Sequence, residues 1–477
     1  MSTGHGHAQG SEDAEQAKWL AEALGSEYRY DHTAERWHHW TGVRWAPDKV
    51  KDLHERVIEL TTERLKTVNA INVPDDDERK RLVKVYRRLF ELSRIESALR
   101  TLATSDGYKT DGADWDQDAF LLGCENGIVD LRVNALVDQP GPSLLVTKTT
   151  GQKFVPLKEW TVNELRRRAP RFMEFMVEVT SGDPGMIDFI LRWYGYTLFG
   201  TTEEQKFLIL IGTGRNGKGA LMNTMRSVIG EYTADTDQNL YMKTRYGAAR
   251  SDGARADLMA LKGKRFAVME EPEGGQFNEE LLKAHTGGVP ITARALHSNN
   301  VISWVPTHTI TFLTNKAPRV EDVGPSMQRR VLVADFRERF DGEREDKHLY
   351  DKLKLESEGI LAILCWAAKA WYEDGLTIPQ RILDASEAYI TQNDPIGKAL
   401  DEFFVVKMGV SAGAKVLYET YLEWHAQSDN PNEAMSLTAF GTNLGNRGFT
   451  KKKTEKGIVY TNIRPKTASE LAEQPYE

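Results

Sequence analysis

The segment that most constrains the fold is a glycine-rich stretch between an apolar run and a pattern typical of a helix. The apolar run spans residues 206–211 (KFLILI), and the helical pattern continues to about Ile229. Between them, GTGRNGK has the GxxxxGK spacing of a phosphate-binding loop. Glycines let backbone N–H groups face a phosphate, the helix N-terminus adds partial positive charge, and Lys218 reaches the β- and γ-phosphates. An ordinary glycine-rich turn between a strand and a helix is the alternative.

This predicted phosphate loop departs from the usual pattern directly after its lysine. The residues expected to bind the nucleotide are Gly212, Thr213, Gly214, Arg215, Asn216, Gly217, Lys218, Gly219 and Ala220. A Ser or Thr ordinarily follows the lysine and binds Mg²⁺ through its hydroxyl, whereas this chain has Gly219 and Ala220. We therefore expect ATP as the nucleotide, with Mg²⁺ held by carboxylates, phosphates and water, or by a hydroxyl from elsewhere.

Composition narrows the class of protein. The 477 residues allow two to four domains, and 40% hydrophobic with 28% charged residues is typical of a soluble globular protein. The sequence has neither an apolar run long enough for a bilayer nor a signal peptide. Two distant cysteines exclude a disulfide framework and favour a cytoplasmic protein. Because the net charge is −8, any nucleic-acid contact has to come from local basic patches.

The pattern of apolar residues and turns divides the chain into six segments. We expect a β-hairpin module at 28–47, helices at 49–69 and 76–104, short strands within 118–155, and two helices within 161–199. Helices return at 346–390, and the tail has helices near 413–427 and 436–446 before a hairpin. The predicted boundaries are 1–20 (a disordered tail), 21–155, 156–200, 201–345, 346–396 and 397–470.

Between 206 and 336 the pattern becomes that of an α/β core with a parallel sheet. Four strand-length apolar runs, KFLILI, RFAVME, HTITFLT and RVLVADF, alternate with helices or loops. The second run ends in Glu270 and Glu271. If it lies beside the phosphate-loop strand, both carboxylates reach the nucleotide, where Glu270 holds Mg²⁺ through water and Glu271 polarises the attacking water. A solvated acidic turn is the alternative.

Two later segments complete the predicted catalytic set. The run 308–316 ends its strand at Asn315, whose amide suits orienting water or sensing the γ-phosphate; a turn-capping Asn is the alternative. Arg329 and Arg330 precede the last strand, and a planar guanidinium suits developing phosphoryl charge. In ring ATPases such a finger comes from the neighbouring subunit. A surface arginine pair is the alternative.

These elements in this order resemble the superfamily III helicases, and more narrowly the helicase half of the phage/plasmid/poxvirus primase-helicase family. The matching segments are GTGRNGKG, LKGKRFAVMEEPE, LLKAHTGGVPITARAL, TITFLTNKAP and QRRVLVADF. RWHHWTGVRWAPD and FLLGCENGIVDLR are similar to the family's helicase-associated domain, and DPIGKALDEFF with the tail to its C-terminal region. The resemblance covers roughly residues 25–465. It implies a P-loop, AAA+-like ATPase core between an α+β helicase-associated domain and a winged-helix-like domain.

The resemblance also implies partners and DNA contacts. It implies a homo-hexameric ring that translocates on single-stranded DNA, unwinds forked duplex with 3′→5′ polarity, and acts in the cytoplasm of a host cell if phage-encoded. Lys283, Arg294 and His297 match the family's DNA-contacting loop, although this chain has Gly287-Gly288-Val289 where the family usually has Gly-Gly-Asp. With only about 25 residues before the helicase-associated domain, we expect a separate primase rather than primer synthesis by this chain.

The tail is predicted to be a winged-helix-like domain that contacts DNA. Its helix, helix and basic hairpin place Lys451, Lys452 and Lys453 in the wing, where they neutralise phosphates with little sequence preference. A solubilising turn on a packing domain is the alternative. For the whole chain, two other functions stay open: an origin-binding replication factor that binds ATP but hydrolyses little, and a small-molecule kinase on a P-loop fold.

Overall fold

A computed structural model of the chain describes residues 4–70, 76–237, 240–243, 255–271, 275–294, 301–320, 324–427, 434–455 and 457–472. For residues 4–12, 68–70 and 472 only the backbone is described. Short 3₁₀ helices connect the main elements at Arg88–Phe90, Pro142–Leu144, Gly230–Tyr232 and Gly342–Arg344.

The N-terminal third packs helices against one small sheet and continues into a second. Its helices are α1 (Gly4–Leu24), α2 (Asp52–Ala70), α3 (Asp76–Arg87) and α4 (Leu92–Leu102). Its strands are β1 (Tyr28–Asp31), β2 (Arg36–Trp40), β3 (Trp45–Pro47), β4 (Lys109–Thr110), β5 (Leu121–Cys124), β6 (Gly127–Asp130) and β7 (Ala135–Leu136). The first sheet has the order β3-β2-β1-β4 and the second β5-β6-β7. The predicted hairpin at 28–47 therefore carries an additional strand, β1.

Two expectations for this region are wrong. The predicted disordered tail at 1–20 lies largely in α1, where Ala17, Leu20 and Leu24 are buried in the domain core. The sequence did not indicate this helix because the residues before position 17 are mostly polar or glycine, and its buried apolar residues all lie in the second half of α1. The expected single helix at 76–104 is interrupted by the 3₁₀ turn Arg88–Phe90 before α4 begins.

Three helices, rather than the expected two, connect the N-terminal third to the core. They are α5 (Val162–Arg168), α6 (Pro170–Val179) and α7 (Pro184–Thr197). Pro170 and Pro184 each stand at a helix start, because a proline there removes no intrahelical hydrogen bond. Asp183 caps α7 by accepting from the backbone N–H groups of Gly185 and Met186.

The core is the predicted α/β fold, built on a five-stranded parallel sheet in the order β14-β8-β13-β10-β9. Its elements are β8 (Phe207–Ile211), α8 (Lys218–Ile229), β9 (Thr233–Asp235), α9 (Ala256–Met259), β10 (Phe266–Glu270), α10 (Glu279–Thr286), β11 (Ile291–Arg294), β12 (Val301–Trp304), β13 (Thr309–Thr314), α11 (Pro325–Gln328) and β14 (Val331–Asp335). The strands are almost wholly buried, as expected for a parallel sheet covered on both faces. β11 and β12 form a separate antiparallel hairpin.

Helices and a small C-terminal domain follow the core. They are α12 (Leu349–Leu355), α13 (Ser357–Asp374), α14 (Gln380–Gln392), α15 (Pro395–Phe403), β15 (Phe404–Gly413), α16 (Ala414–Ala426), α17 (Leu437–Asn446), β16 (Lys451–Thr454), β17 (Gly457–Pro465) and α18 (Ala468–Ala472). The expected order of helix, helix and hairpin is present, and β15 adds a third strand to the hairpin. A separate apolar core, which includes Tyr421, Phe440 and Ile463, holds this domain together.

Candidate nucleotide site

The carboxyl ends of the parallel strands bring the predicted nucleotide-binding segments to one edge of the sheet. Ile211, the last residue of β8, is in register with Thr314 of β13 and with Asp335 of β14. Glu270 ends β10 and is in register with Leu313. The phosphate loop, the two glutamates and Asn315 therefore leave the sheet side by side, at the edge where ligands of open α/β sheets bind.

The phosphate loop needs glycine at two positions where other parts of the chain pass close by. Gly217 has φ +84° at the start of α8, and a Cβ there would lie 2.6 Å from Val179 Cγ1. A Cβ on Gly212 would lie 2.5 Å from the carbonyl oxygen of Phe336. The loop is also held from outside, because the backbone N–H of Phe340 donates to the carbonyl of Arg215 over 2.7 Å. The loop is thus fixed by α6 and by the segment after β14.

Lys218 is buried inside this loop among neutral oxygen atoms. Its Nζ donates to the Gly212 carbonyl (2.8 Å) and to Oδ1 of Asn216 (3.1 Å) and of Asn315 (3.3 Å). Burial lowers the pKa of Lys218, and the nearby carboxylates of Glu271 and Asp335 oppose that shift. A buried ammonium group that contacts only neutral oxygens favours an additional anionic partner such as a phosphate.

Asn315 connects this lysine to Glu271. Its Nδ2 donates to Glu271 Oε1 over 3.2 Å, while its Oδ1 accepts from Lys218. Glu271 adopts a left-handed backbone conformation, with φ +43°, directly after β10, and its N–H donates to the Leu313 carbonyl. Strain of this kind at a strand end is common in functional sites. Three of the predicted site residues, from three different segments, therefore form one chain of hydrogen bonds.

Glu270 faces a different neighbour from Glu271. Its side chain is 46% exposed and forms an ion pair with Arg226 of α8, which also pairs with Asp235 at 2.7 Å. Among the described residues, no three His, Cys, Asp or Glu side chains group in a way that would hold a metal ion. Mg²⁺ at a nucleotide needs only one or two carboxylates, since phosphates and water supply the other ligands, so Glu270 and Glu271 fit that limited role.

A cavity of about 280 Å³ adjoins the other side of the phosphate loop. The start of α8 forms one wall, through Gly217, Gly219 and Ala220, and Phe175, Phe340 and Leu349 contribute apolar surface. Arg171, Glu178, Arg215, Asn216, Arg344, Glu345 and Asp346 complete the lining. Of these, sequence reasoning placed only the loop residues at the site. A cavity lined by both apolar and charged side chains is suited to a ligand such as a nucleotide.

Sequence reasoning also missed Asp335. It ends β14, it is in register with the last residue of the phosphate-loop strand, and its charge acts on Lys218. The signal was present in the run RVLVADF, an apolar strand that ends in a carboxylate. Without the strand order, nothing indicated that this strand lies directly beside β8.

The two predicted arginines occupy different environments. Arg330 is buried, with 6% exposure, and donates to Thr286 Oγ1 and to the carbonyl and hydroxyl oxygens of Ser326 within its own chain. A finger that enters a neighbouring subunit has to protrude, so this burial argues against the prediction for Arg330. Arg329 is exposed and remains the candidate of the pair.

The predicted DNA contacts that the structure describes belong to elements other than the phosphate loop and the ends of the parallel strands. Lys283 is in α10, and its Nζ lies 3.9 Å from Glu279 Oε2. Arg294 is the last residue of β11 and pairs with Val301 of β12. His297 lies outside the described residues. Lys451, Lys452 and Lys453 are exposed on β16, which pairs with β17 at the edge of the C-terminal sheet.

Comparisons with known proteins agree with the predicted family. Residues 17–181 match the family described as D5 N terminal like. A protein of Acanthamoeba polyphaga mimivirus, "Putative helicase L207/L206", is 25% identical over 330 residues, which is 65% of this chain and 33% of that protein. The chain therefore spans about a third of the length of the curated relative it matches.

Solved structures of the NrS-1 C-terminal region are similar along almost the whole chain. One apo structure is 12% identical, covers 93% of this chain and 98% of its own, and has a TM-score of 0.48. Another is 13% identical, covers 94% of this chain and 99% of its own, and also has a TM-score of 0.48. Likeness at this level carries no argument about function. Among the described helices, none combines the length and the apolar character that crossing a bilayer requires.

Proposed function

We propose that this chain, which belongs to the superfamily III primase-helicase family through its D5-like N-terminal region, is an ATP-dependent DNA helicase motor. At the level of the family, a helicase-type function follows from those matches. ATP hydrolysis, translocation on single-stranded DNA and unwinding of a fork are the proposed part. The observation that carries the proposal is the hydrogen-bonded chain from Lys218 through Asn315 to Glu271.

In this proposal, Lys218, Glu271 and Asn315 have different roles in ATP hydrolysis. The triphosphate replaces the neutral oxygens that now accept from Lys218, and the ammonium group neutralises charge on the transferred γ-phosphoryl group. Glu271 accepts the proton of the attacking water, and Asn315 holds both the carboxylate and the lysine in place. When bound, Mg²⁺ would supply further neutralisation of the phosphates, and Glu270 would hold it through water.

The base and sugar of the nucleotide have a place in this proposal. We assign them to the cavity of about 280 Å³ beside the start of α8, where Phe175 and Phe340 offer apolar surface to a purine. Arg329 supplies the guanidinium for the site of the next subunit in a homo-hexamer. Arg330 instead supports α10 through Thr286.

DNA movement is proposed to follow from the position of α10. Along the chain, this helix follows β10, which ends at the proposed nucleotide site, and precedes the β11–β12 hairpin. In this proposal, changes at the strand ends reach the predicted DNA contacts Lys283, Arg294 and His297 through this continuous segment. Lys451, Lys452 and Lys453 add a contact to duplex DNA. Action in the cytoplasm completes the proposal.

Two observations favour a second function, an origin-binding factor that binds ATP but hydrolyses little. Position 219 lacks the hydroxyl that ordinarily binds Mg²⁺, and Glu270 is already paired with Arg226. Steady-state ATPase with and without single-stranded DNA, together with strand separation on a forked duplex, distinguishes the two. The motor predicts DNA-stimulated hydrolysis and ATP-dependent unwinding. Tight origin binding without stimulation would support the second function instead.

A further inference from the structure

A basic groove lies on the N-terminal third, on the face of α3 and the turn after it. It has a volume of about 510 Å³ and is lined by Arg79, Lys80, Lys84, Arg87 and Arg88, with one valine and one glutamate. The lining therefore has five basic residues and one acidic residue, whereas the whole chain has a net charge of −8. A locally positive surface of this kind attracts an anionic ligand.

The charges of this groove are only partly compensated within the protein. Arg79 and Lys80 share Asp76, at 2.7 Å each. Lys84 and Arg87 are exposed, and no ion pair joins them to a carboxylate of the described residues. These two residues therefore carry the uncompensated charge and are the ones to substitute.

The spacing of the bases matches an extended ligand rather than a single small anion. Lys80, Lys84 and Arg87 are at i, i+4 and i+7, which places them along one face of α3. At a rise of about 1.5 Å per residue, the row extends for roughly 10 Å along the helix. A row of cations of that length suits successive charges on one chain.

Apolar side chains lie within the groove and directly after it along the chain. Val83 lines the groove. Phe90 and Leu92, which follow the basic residues in the sequence, are 46% and 59% exposed. Exposed aromatic rings beside cations are the combination that binds single-stranded nucleic acid, because bases stack on the ring while phosphates meet the cations. An acidic peptide would use the cations but has no base to stack on Phe90.

We propose that this groove is a second binding site for single-stranded nucleic acid, in which Lys84 and Arg87 contact phosphates and Phe90 stacks on a base. The site lies on α3 and the turn after it, not on α10 or the β11–β12 hairpin that carry the predicted motor contacts. It does not depend on ATP hydrolysis. Its role is to hold the strand without sequence preference outside the ATPase core.

The test is fluorescence anisotropy of labelled oligothymidylate with the full chain, without nucleotide. We expect Lys84→Glu/Arg87→Glu to bind at least about tenfold more weakly, and the log–log salt slope to fall by about 1.4 for two lost phosphate contacts. Lys18→Glu/Lys109→Glu reverses two exposed lysines of the same region that do not line the groove, and should bind like the wild type. Lys84→Gln/Arg87→Gln and Phe90→Ala should give intermediate losses.

Several results would overturn the proposal. Equal affinity and equal salt slope in the groove variant and the lysine control would do so. Unchanged binding of oligothymidylate with lost binding of poly-glutamate would assign the groove to an acidic protein partner. Basal ATPase activity is measured on every variant. If the protein binds DNA through the groove but has no ATPase activity, the proposed motor function is refuted and the proposed groove is not. Thermal melting of each variant checks that it folds.

Discussion

Lys218 Nζ and Asn315 Oδ1 lie 3.3 Å apart although 97 positions separate the two residues in the chain. The contact exists because β8 and β13 are neighbours in a parallel sheet and both end at the same edge. It places the amide of Asn315 between a cation and the carboxylate of Glu271.

Lys218→Met should abolish ATP turnover. The substitution removes the charge that neutralises the γ-phosphate while it keeps a side chain of similar length, and we expect a loss of at least about 100-fold. The matched control is Lys262→Met, because Lys262 is a half-buried lysine of the same core that lies in the turn before β10, outside the phosphate loop. Steady-state ATPase of both variants is the measurement. Full activity in Lys218→Met, or equal loss in both, would show that the loop is misassigned.

Asn315 should act on the charge state of Glu271. Asn315→Asp puts a second carboxylate beside it, and a like charge raises the pKa of a carboxyl group. The acidic limb of the pH–rate profile should therefore move to higher pH. Asn315→Leu removes the hydrogen bonds without adding charge, so it should lower kcat and move that limb less than Asn315→Asp does. An unshifted pH–rate profile in Asn315→Asp would show that Asn315 does not influence the proposed base, Glu271.

A hydroxyl restored at position 219 should improve Mg²⁺ use. A Cβ on Gly219 meets nothing within 4 Å, so Gly219→Ser fits without rearrangement. We expect the Mg²⁺ concentration for half-maximal ATPase to fall severalfold, because the hydroxyl supplies a ligand that the natural loop lacks. Gly219→Ala is the control for the backbone effect. Identical Mg²⁺ dependence in the two variants would mean that the metal lies away from this position.

The sheet and its strand ends could be predicted from the sequence because parallel strands buried on both faces appear as continuous apolar runs. The phosphate loop, Glu271 and Asn315 each follow such a run. Arg330 was mistaken for an exposed residue because its burial depends on Thr286 and Ser326, whose proximity is tertiary. The cavity was missed for the same reason, since Phe175 and Phe340 reach it from segments before and after the sheet.

Substituting Arg330 should change stability, whereas substituting Arg329 should change ATPase activity. Arg330→Ala should lower the free energy of unfolding by about 2 kcal/mol, because it removes a buried side chain and its hydrogen bonds to Ser326 and Thr286. Arg329→Ala should melt like the wild type but lose ATPase activity, and mixing it with the wild type should poison assembled rings. Chemical denaturation and mixing titrations are the measurements. Normal stability in Arg330→Ala with lost hydrolysis would restore it as the finger.

The core should lose stability in mild acid through a buried histidine pair. Tyr241 Oη lies 2.9 Å from His285 Nδ1 and 3.3 Å from His308 Nε2. Burial lowers the pKa of His285 to about 4, with Arg255 lowering it further and Asp257 opposing, and burial beside His285 lowers the pKa of His308 to about 3.

Because the folded pKa values lie below the ordinary 6.5, this stability is complete above pH 6.5 and declines as the pH falls from 6.5 towards 4. Urea denaturation at several pH values should show a shallower decline in His308→Phe than in the wild type. Parallel declines would mean that the pair does not titrate in this range.

The most direct test of the central claim is ATP turnover by Glu271→Gln in the presence of single-stranded DNA, with ATP affinity measured on the same sample. Exposed Glu280 provides the matched control, Glu280→Gln. If Glu271 and Lys218 serve one triphosphate, Glu271→Gln binds ATP about as well as the wild type but hydrolyses it at least about 100-fold more slowly. Turnover at the wild-type rate in Glu271→Gln would contradict the account.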